Sequence, residues 1–317
     1  MGKIGAYSAF QKRKFKFVYL FIAFPVIQFL IFWVYVNASS IVIAFQDGDG
    51  AFTLENFRMV LRALTSVQGY NLNINLFDAI KRSWTIWGLS FFILFPIGVA
   101  TTYVLCRRIY GHYVLRICYI IPELMGAVMW TQLICYLVQF DGPVTELIRN
   151  LGFSLPSKAD KNGLFGSEAT AFPTIIGIQI MMGLVGNNAV LTGAFARIPD
   201  ELYESADLDG AGFWTVFFKI AAPCIGSTIS TLLVFSLCSF MTADYNVFLF
   251  TKGNGNNETA TVGYLLYKIT LNISQNAAGK PYYGYPAALG VALTLVSAPV
   301  VLIGKRIIEH KFEGTEI

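Results

Sequence analysis

Long apolar stretches alternate with short polar ones along the whole chain. Stretches free of Asp, Glu, Lys and Arg occupy 17–46, 83–106, 169–196, 220–243 and 281–304, and 117–140 is a sixth with Glu123 as its one charge. Roughly 20 apolar residues carry a helix across the hydrocarbon core of a bilayer, so each stretch is long enough, with a few residues left for tilt. A segment in lipid must satisfy its own backbone hydrogen bonds, and runs this uniformly apolar lack the alternation of barrel strands. The pattern predicts an all-α integral membrane protein with six transmembrane helices near 17–38, 83–106, 117–139, 170–191, 221–243 and 282–304, forming one domain over 1–317. The first run follows Lys12, Arg13, Lys14 and Lys16, as a secretory signal would. It is about twice the length of a signal's apolar region and ends in no small-residue cleavage site, so it reads as a retained helix that emerges at the interface from Asn37 to Phe45.

Composition sharpens this picture. Only 13% of the 317 residues are charged and 55% are hydrophobic, against about a quarter charged in an ordinary soluble domain. A net charge of +4 is too mild to point to nucleic acid. The five cysteines, Cys106, Cys118, Cys135, Cys224 and Cys238, all lie in or beside apolar runs, without the spacing of a disulfide framework or a metal site. His112 and His310 are the two histidines, and neither has a second ligand or a nucleophile at helical spacing. No Gly-x4-Gly-Lys-Ser/Thr segment is present, so a nucleotide phosphate has no cradle here. The chain is expected to hold no cofactor and no metal and to be no enzyme by itself. With both ends placed inside, Lys and Arg are about twice as dense on the inner pieces as on the outer ones, as the positive-inside rule requires.

Among the outer pieces, 47–82 carries Leu54, Phe57, Val60, Leu61 and Leu64 at helical spacing, which predicts a short amphipathic helix. The pieces 141–168 and 251–259 are turn-like and polar. Pro25, Pro96, Pro122, Pro173, Pro286 and Pro299 lie in or at the rim of the spans and read as local kinks.

The inner loop 197–220 departs from the others. It places Asp200, Glu201, Glu204, Asp207 and Asp209 against Arg197 and Lys219, and an acidic loop is repelled by an anionic leaflet. Ile198-Pro199-Asp200-Glu201 reads as a helix start, with acids at the positive helix end. Gly210 reads as a left-handed stop, and a second short helix is expected from Phe213 to Ile220. Pro223 falls in the first turn of the next span, where a missing N–H costs little.

At this point the residues carry a family resemblance. Glu204-Ser205-Ala206, three residues, Gly210, nine residues, Ile220, one residue, then Ala222-Pro223 resembles the EAA loop of ABC importer permeases, with Ser205 and Ala222 as small departures from Ala and Leu. The flanks Ile198 to Tyr203 and Asp209-Gly210-Ala211, together with Leu54-Glu55-Asn56-Phe57 in the first outer loop, resemble the carbohydrate branch, the maltose and glycerol-phosphate type. The resemblance spans essentially the whole chain. It implies a type I ABC importer permease fold with a cytoplasmic coupling helix, in a bacterial plasma (inner) membrane, with both termini cytoplasmic. It also implies a second, distinct permease subunit, two ATP-binding subunits that hold the ATP and Mg, an extracellular solute-binding protein and a carbohydrate substrate. Under this reading Glu204, Ser205, Ala206, Gly210, Leu202 and Tyr203 meet the ATPase: Glu204 by a charged contact, Leu202, Tyr203 and Ala206 by apolar contact, Gly210 by permitting the turn.

The candidate substrate path is drawn from polar and aromatic positions in the fourth and fifth runs. Gln179, Gly183 and Asn187 follow i, i+4, i+8 and share one face of a continuous helix. Ser236 offers a hydroxyl, and Phe240 and Tyr245 offer rings for a sugar. The same small and amide residues suit helix packing equally. A secondary transporter or a channel is the alternative class. It would want intramembrane ionisable groups, and Glu123, which reads as a helix-end carboxylate capped by neighbours or paired with Arg116, is a meagre supply.

Overall fold

The computed structural model describes residues 9–65, 74–107, 111–152, 163–165, 168–251, 255, 258–272 and 282–312. The middle of the 141–168 loop and most of the polar 251–259 stretch lie outside the described residues. Among the described residues all regular secondary structure is helical, apart from one isolated antiparallel bridge between Gln46 and Phe52. Four helices have the length and composition of a membrane span, and six do so when each of two bent pairs counts as one span.

One compact unit comprises 1–60 and 273–292. Helix α1 (Ala9–Phe29) passes through a π turn at Leu30–Tyr35 into α2 (Val36–Ala44), giving an unbroken rod. Its apolar side chains point outward all round, with Phe17, Leu20 and Phe24 at least 70% exposed, the surface expected of a helix whose solvent is lipid. After Ala44 the chain turns back on itself. Asp47 Oδ1 accepts the backbone N–H groups of Asp49 and Ala51, and Phe45 stacks on Phe52 and Phe57 at 5.7 and 4.9 Å. This leaves Asn56, the first-turn residue of α3 (Glu55–Thr65), fully buried. Its amide donates to Ala44 O at 3.0 Å and Gln46 O at 2.8 Å, and its Oδ1 accepts the Tyr282 hydroxyl. Two carbonyls freed at the end of α2 are thereby satisfied by one side chain. In α3 itself Val60 and Ala63 are buried, while Leu61 is 64% exposed.

The second unit comprises 61–272 and 293–317. Asn75 caps α4 (Leu76–Leu89) by accepting Phe77 N–H, so the second predicted span begins seven residues earlier than the charge-free run. After a π turn at Ser90–Leu94 it continues as α5 (Phe95–Cys106). The third run is two helices, α6 (His112–Leu124) and α7 (Ala127–Val138), followed by α8 (Pro143–Asn150). The fourth is also two, α9 (Glu168–Val185) and α10 (Asn188–Phe195). The loop helix α11 (Asp200–Leu208) leads to α12 (Phe213–Val216), a π turn at Phe217–Ala221 and α13 (Ala222–Cys224). Next come α14 (Gly226–Cys238), α15 (Val247–Thr251) and α16 (Val262–Leu271). The last helix, α17 (Gly284–Phe312), starts in the first unit and ends in this one.

The fifth predicted span, 221–243, is therefore corrected. Its first residues belong to the α12–α13 leg, which meets α14 at 76°, and α14 stops at Cys238. Proline explains the shape of this leg. Pro223 has no N–H and its ring crowds the carbonyl four residues back, and the helix widens just ahead of it so that Ala222 N–H reaches Phe217 O, five residues back. Pro96 has the same signature, with Phe95 N–H bonded to Ser90 O. These two prolines are absorbed by π turns.

Removing the amide at the α2–α3 corner should weaken the first unit. Asn56→Leu removes the side-chain donor to the buried Ala44 carbonyl and leaves Gln46 O with the Tyr282 hydroxyl alone. It is expected to lower stability by about 1–3 kcal/mol, measurable as an earlier thermal unfolding transition in detergent.

Candidate functional site

The loop helix α11 begins at Pro199, whose extended backbone (φ −59°, ψ 137°) precedes a first turn carrying Asp200 and Glu201. It ends in a left-handed glycine, Gly210 at φ +70°. Ala211 N–H bonds to Ala206 O at 3.0 Å and Gly210 N–H to Asp207 O at 3.1 Å, the paired 6→1 and 5→2 bonds of a Schellman stop. The turn that reverses the chain between α11 and α12 is therefore built by its own backbone.

The two faces of α11 have different tasks. Ala206 is buried at 4% exposure, and Tyr203 packs onto a core of Val99, Tyr103, Leu191, Ala194, Phe195, Ile198 and Phe217. The assignment of Tyr203 and Ala206 to outward contact is thus corrected: both hold the helix to its own chain. Arg107, at the end of α5, reinforces the attachment. Its guanidinium lies 4.2 Å from the Tyr203 ring centre, and its Nη2 is 3.7 Å from Asp207 Oδ1. Burial, helped by the neighbouring Tyr103, pushes the Tyr203 phenol up to about 12, so it stays neutral beside Asp207. On the other face Glu201, Leu202, Glu204, Ser205, Leu208 and Asp209 are exposed, and Leu208 reaches 89%. An apolar side chain at the tip of an acidic helix was overlooked in the sequence; its position directly before the Asp209-Gly210 turn was the available signal.

Beneath this attachment sits Tyr103, fully buried in α5. Its ring meets Phe195 of α10 at 5.6 Å, Phe213 of α12 at 5.0 Å and Phe217 of the π turn at 4.9 Å. One ring thus joins α5 to α10, to α12 and to the π turn that follows it. A cavity of about 610 Å³ adjoins the attachment, lined by Cys106, Arg107, Arg116, Thr192, Tyr203, Glu204 and Asp207 among others.

The candidate path residues separate into two groups. Gly183, Asn187 and Ser236 come together around a small cavity of about 120 Å³ that also touches Ser90, Leu94, Gly98 and Gly186. They do not share the face of one continuous helix, which corrects the i, i+4, i+8 reading. Asn187 takes φ +66° in the two-residue break between α9 and α10, so its side chain leaves the helical series. Asn tolerates this conformation better than most residues. Gly183 also permits close packing, since a Cβ there would lie 2.6 Å from Leu94 Cδ1. The other group serves the fold. Gln179 donates to Tyr245 O at 3.2 Å. Phe240 is 9% exposed and packs on Trp84 and Trp87 at 5.4 and 4.8 Å, so its faces are already occupied. Tyr245 is itself left-handed at φ +53°, in the turn after α14. Asn188, next to the break, is buried, with its Oδ1 3.1 Å from the Thr102 hydroxyl and 3.4 Å from that of Thr192.

With this geometry in hand, the comparisons are specific. The chain superposes on a chain of a bacterial ABC transporter involved in the import of the acidic polysaccharide alginate, with a TM-score of 0.74 and 22% identity, covering 94% of this chain and 96% of that one. The fold is that of an ABC importer permease. The alginate transporter in complex with alginate pentasaccharide-bound periplasmic protein gives the same TM-score at 19% identity, over 96% and 98% of the two chains. In sequence, the chain is 28% identical over 197 residues to the diacetylchitobiose uptake system permease protein NgcF of Streptomyces coelicolor, covering 60% of this chain and 51% of that protein. It is 26% identical over 317 residues to LplB of Bacillus subtilis, covering 98% and 94%. The chain thus spans about half the length of the first relative and nearly all of the second. No family model matches it. Sugar-transport permease proteins are thus among its relatives, and with its apolar helices they mark it as a multi-pass membrane protein.

The Tyr103 ring should matter and its hydroxyl should not. The Tyr103 hydroxyl is buried without a hydrogen-bond partner among the described residues, so Tyr103→Phe should leave stability unchanged or slightly raised. Tyr103→Ala should cost about 3–5 kcal/mol, as for other large buried rings. Thermal melts of both variants in detergent check the pair.

Proposed function

We propose that this permease forms half of the translocation path of an ATP-driven carbohydrate importer. An extracellular solute-binding protein delivers the solute, and the exposed face of α11 receives force from a separate ATPase. The single observation that carries the reading is the construction of α11. One face is riveted to α5, α10 and α12, and the other presents Glu204 and Leu208 at the tip of a helix closed by Gly210. The permease relatives and the alginate-importer fold support the same assignment. Two ATP-binding subunits and a second, distinct permease complete the complex, because one set of spans does not enclose a pore. The acidic loop and both termini lie in the cytoplasm, in keeping with the distribution of Lys and Arg. ATP-driven closure of the partner then moves α11, and its attachments carry the displacement into the spans.

The cavity at Gly183, Asn187 and Ser236 is our candidate for the wall of the solute path. Hydroxyls and an amide at the junction of broken helices provide hydrogen bonds that suit a sugar, on a surface otherwise lined by glycines and by Leu94, Phe95 and Leu191.

Variants at the tip of α11 test the coupling role. Glu204→Lys reverses the charge offered to the ATPase, Leu208→Asp removes the apolar tip, and Gly210→Val forces a β-branched residue into a left-handed conformation disfavoured by about 1–2 kcal/mol. Each should reduce ATP-dependent uptake at least about tenfold, equivalent to about 1.4 kcal/mol of lost coupling, or release the ATPase during purification. Sugar binding by the solute-binding protein should be unchanged. Wild-type uptake and co-purification in all three variants would refute the coupling role.

A further inference from the structure

Glu123 is the one charge inside the six apolar runs, and among the described residues it makes no ion pair. It lies in the last turn of α6, one residue before that helix ends. Its carboxylate oxygens instead accept the backbone N–H of Ala189, at 3.2 and 3.4 Å. Ala189 is the second residue of α10, the helix that restarts after the break in the fourth run. The first N–H groups of a helix have no partner within it, and the residue before α10 supplies none, because left-handed Asn187 makes no side-chain cap. A carboxylate reaching across from α6 takes that place, where the positive end of the helix favours it.

A second tie acts beside it. Buried Asn188 is held by Thr102 of α5 and by Thr192 one turn further along α10. The start of α10 is therefore fixed from α6 through the backbone and from α5 through a side chain. Immediately before these two anchored residues stands Asn187, on the wall of the 120 Å³ cavity. The pairing explains how a carboxylate within an apolar run is tolerated without a cation: its partner is the open end of a helix from another apolar run.

From this arrangement we infer that Glu123 is a positioning residue for the solute path. It holds the restart of α10 in place and thereby sets where Asn187 stands, without touching the solute itself. The inference rests on the proposed transport role for its effect on uptake, but its structural half is independent of that role.

The test uses the full chain in its assembled complex. Hydrogen exchange of the 187–192 amides should become at least about tenfold faster in Glu123→Ala, while Glu123→Gln, which keeps an acceptor oxygen, should remain near wild type. In proteoliposomes Glu123→Ala should lower the uptake rate about tenfold, with ATP hydrolysis stimulated by the binding protein retained and Glu123→Gln within about threefold of wild type. Because Glu123 acts through Asn187, the double variant Glu123→Ala/Asn187→Ala should be no slower than the slower single variant. Unchanged exchange in Glu123→Ala, or uptake losses that multiply in the double variant, would overturn the inference. If Glu123→Ala does not assemble, Glu123→Gln decides: assembly with transport supports the role, and loss of either refutes it. A wild-type complex without ATP-dependent uptake would instead count against the importer reading, and the exchange measurement would still decide the contact.

Discussion

A backbone amide or carbonyl released from its helix inside an apolar run has no water to turn to, and the form of this protein follows from how each such group finds a partner. Where Pro96 and Pro223 interrupt the ladder, the helix widens by one residue and the preceding N–H reaches back five positions. Where the fourth run breaks at Asn187, a carboxylate from α6 covers the new helix start. Where α2 ends, the Asn56 amide takes two carbonyls at once. Each solution recruits a residue from elsewhere on the chain or bends the helix locally, so the irregular points are also points of attachment.

The same economy shapes the loop after α10. A nine-residue helix is too short to be stable by itself, and α11 is held because Ala206 and Tyr203 are taken into the core around Tyr103 while Arg107 grips Tyr203 and Asp207 from α5. Its exposed side is thereby free to be acidic and to end in a solvent-facing leucine. A push on that side is borne by aromatic contacts at about 5 Å to α5, α10 and the π turn, not by a flexible linker. This is the mechanical property that a coupling element requires, and under the proposed reading it is why a compact loop suffices.

Polar residues within the spans divide between building the fold and lining space. Gln179 and Phe240, both attractive as solute contacts when only the residue types are known, are consumed by Tyr245 O and by two tryptophans. Gly183, Asn187 and Ser236 are left beside open volume. The division has a simple origin: a buried amide or ring is stabilised by whichever partner the packing brings within reach, and that partner can lie more than sixty residues away in the chain.

The sequence by itself determined the helical, membrane-embedded character of the chain. Charge-free runs of this length admit little else in lipid, and the order Pro199, acidic turn, Gly210 encodes the start and stop of α11 through local backbone chemistry. Those features depend on residues within a few positions of each other. What the sequence left open required neighbours from other helices. The family resemblance grouped Leu202, Tyr203 and Ala206 as one apolar contact, but only the Tyr103 core decided that Tyr203 and Ala206 face inward and Leu208 outward. Spacing aligned Gln179, Gly183 and Asn187, but the left-handed turn at Asn187 misaligned them. The helix start after it is held by Thr102 and Glu123, which bond Asn188 and Ala189 from 86 and 66 residues away in the chain. Hydrogen bonds across that distance leave no periodic trace along the chain, so tertiary structure alone could assign Glu123 its partner.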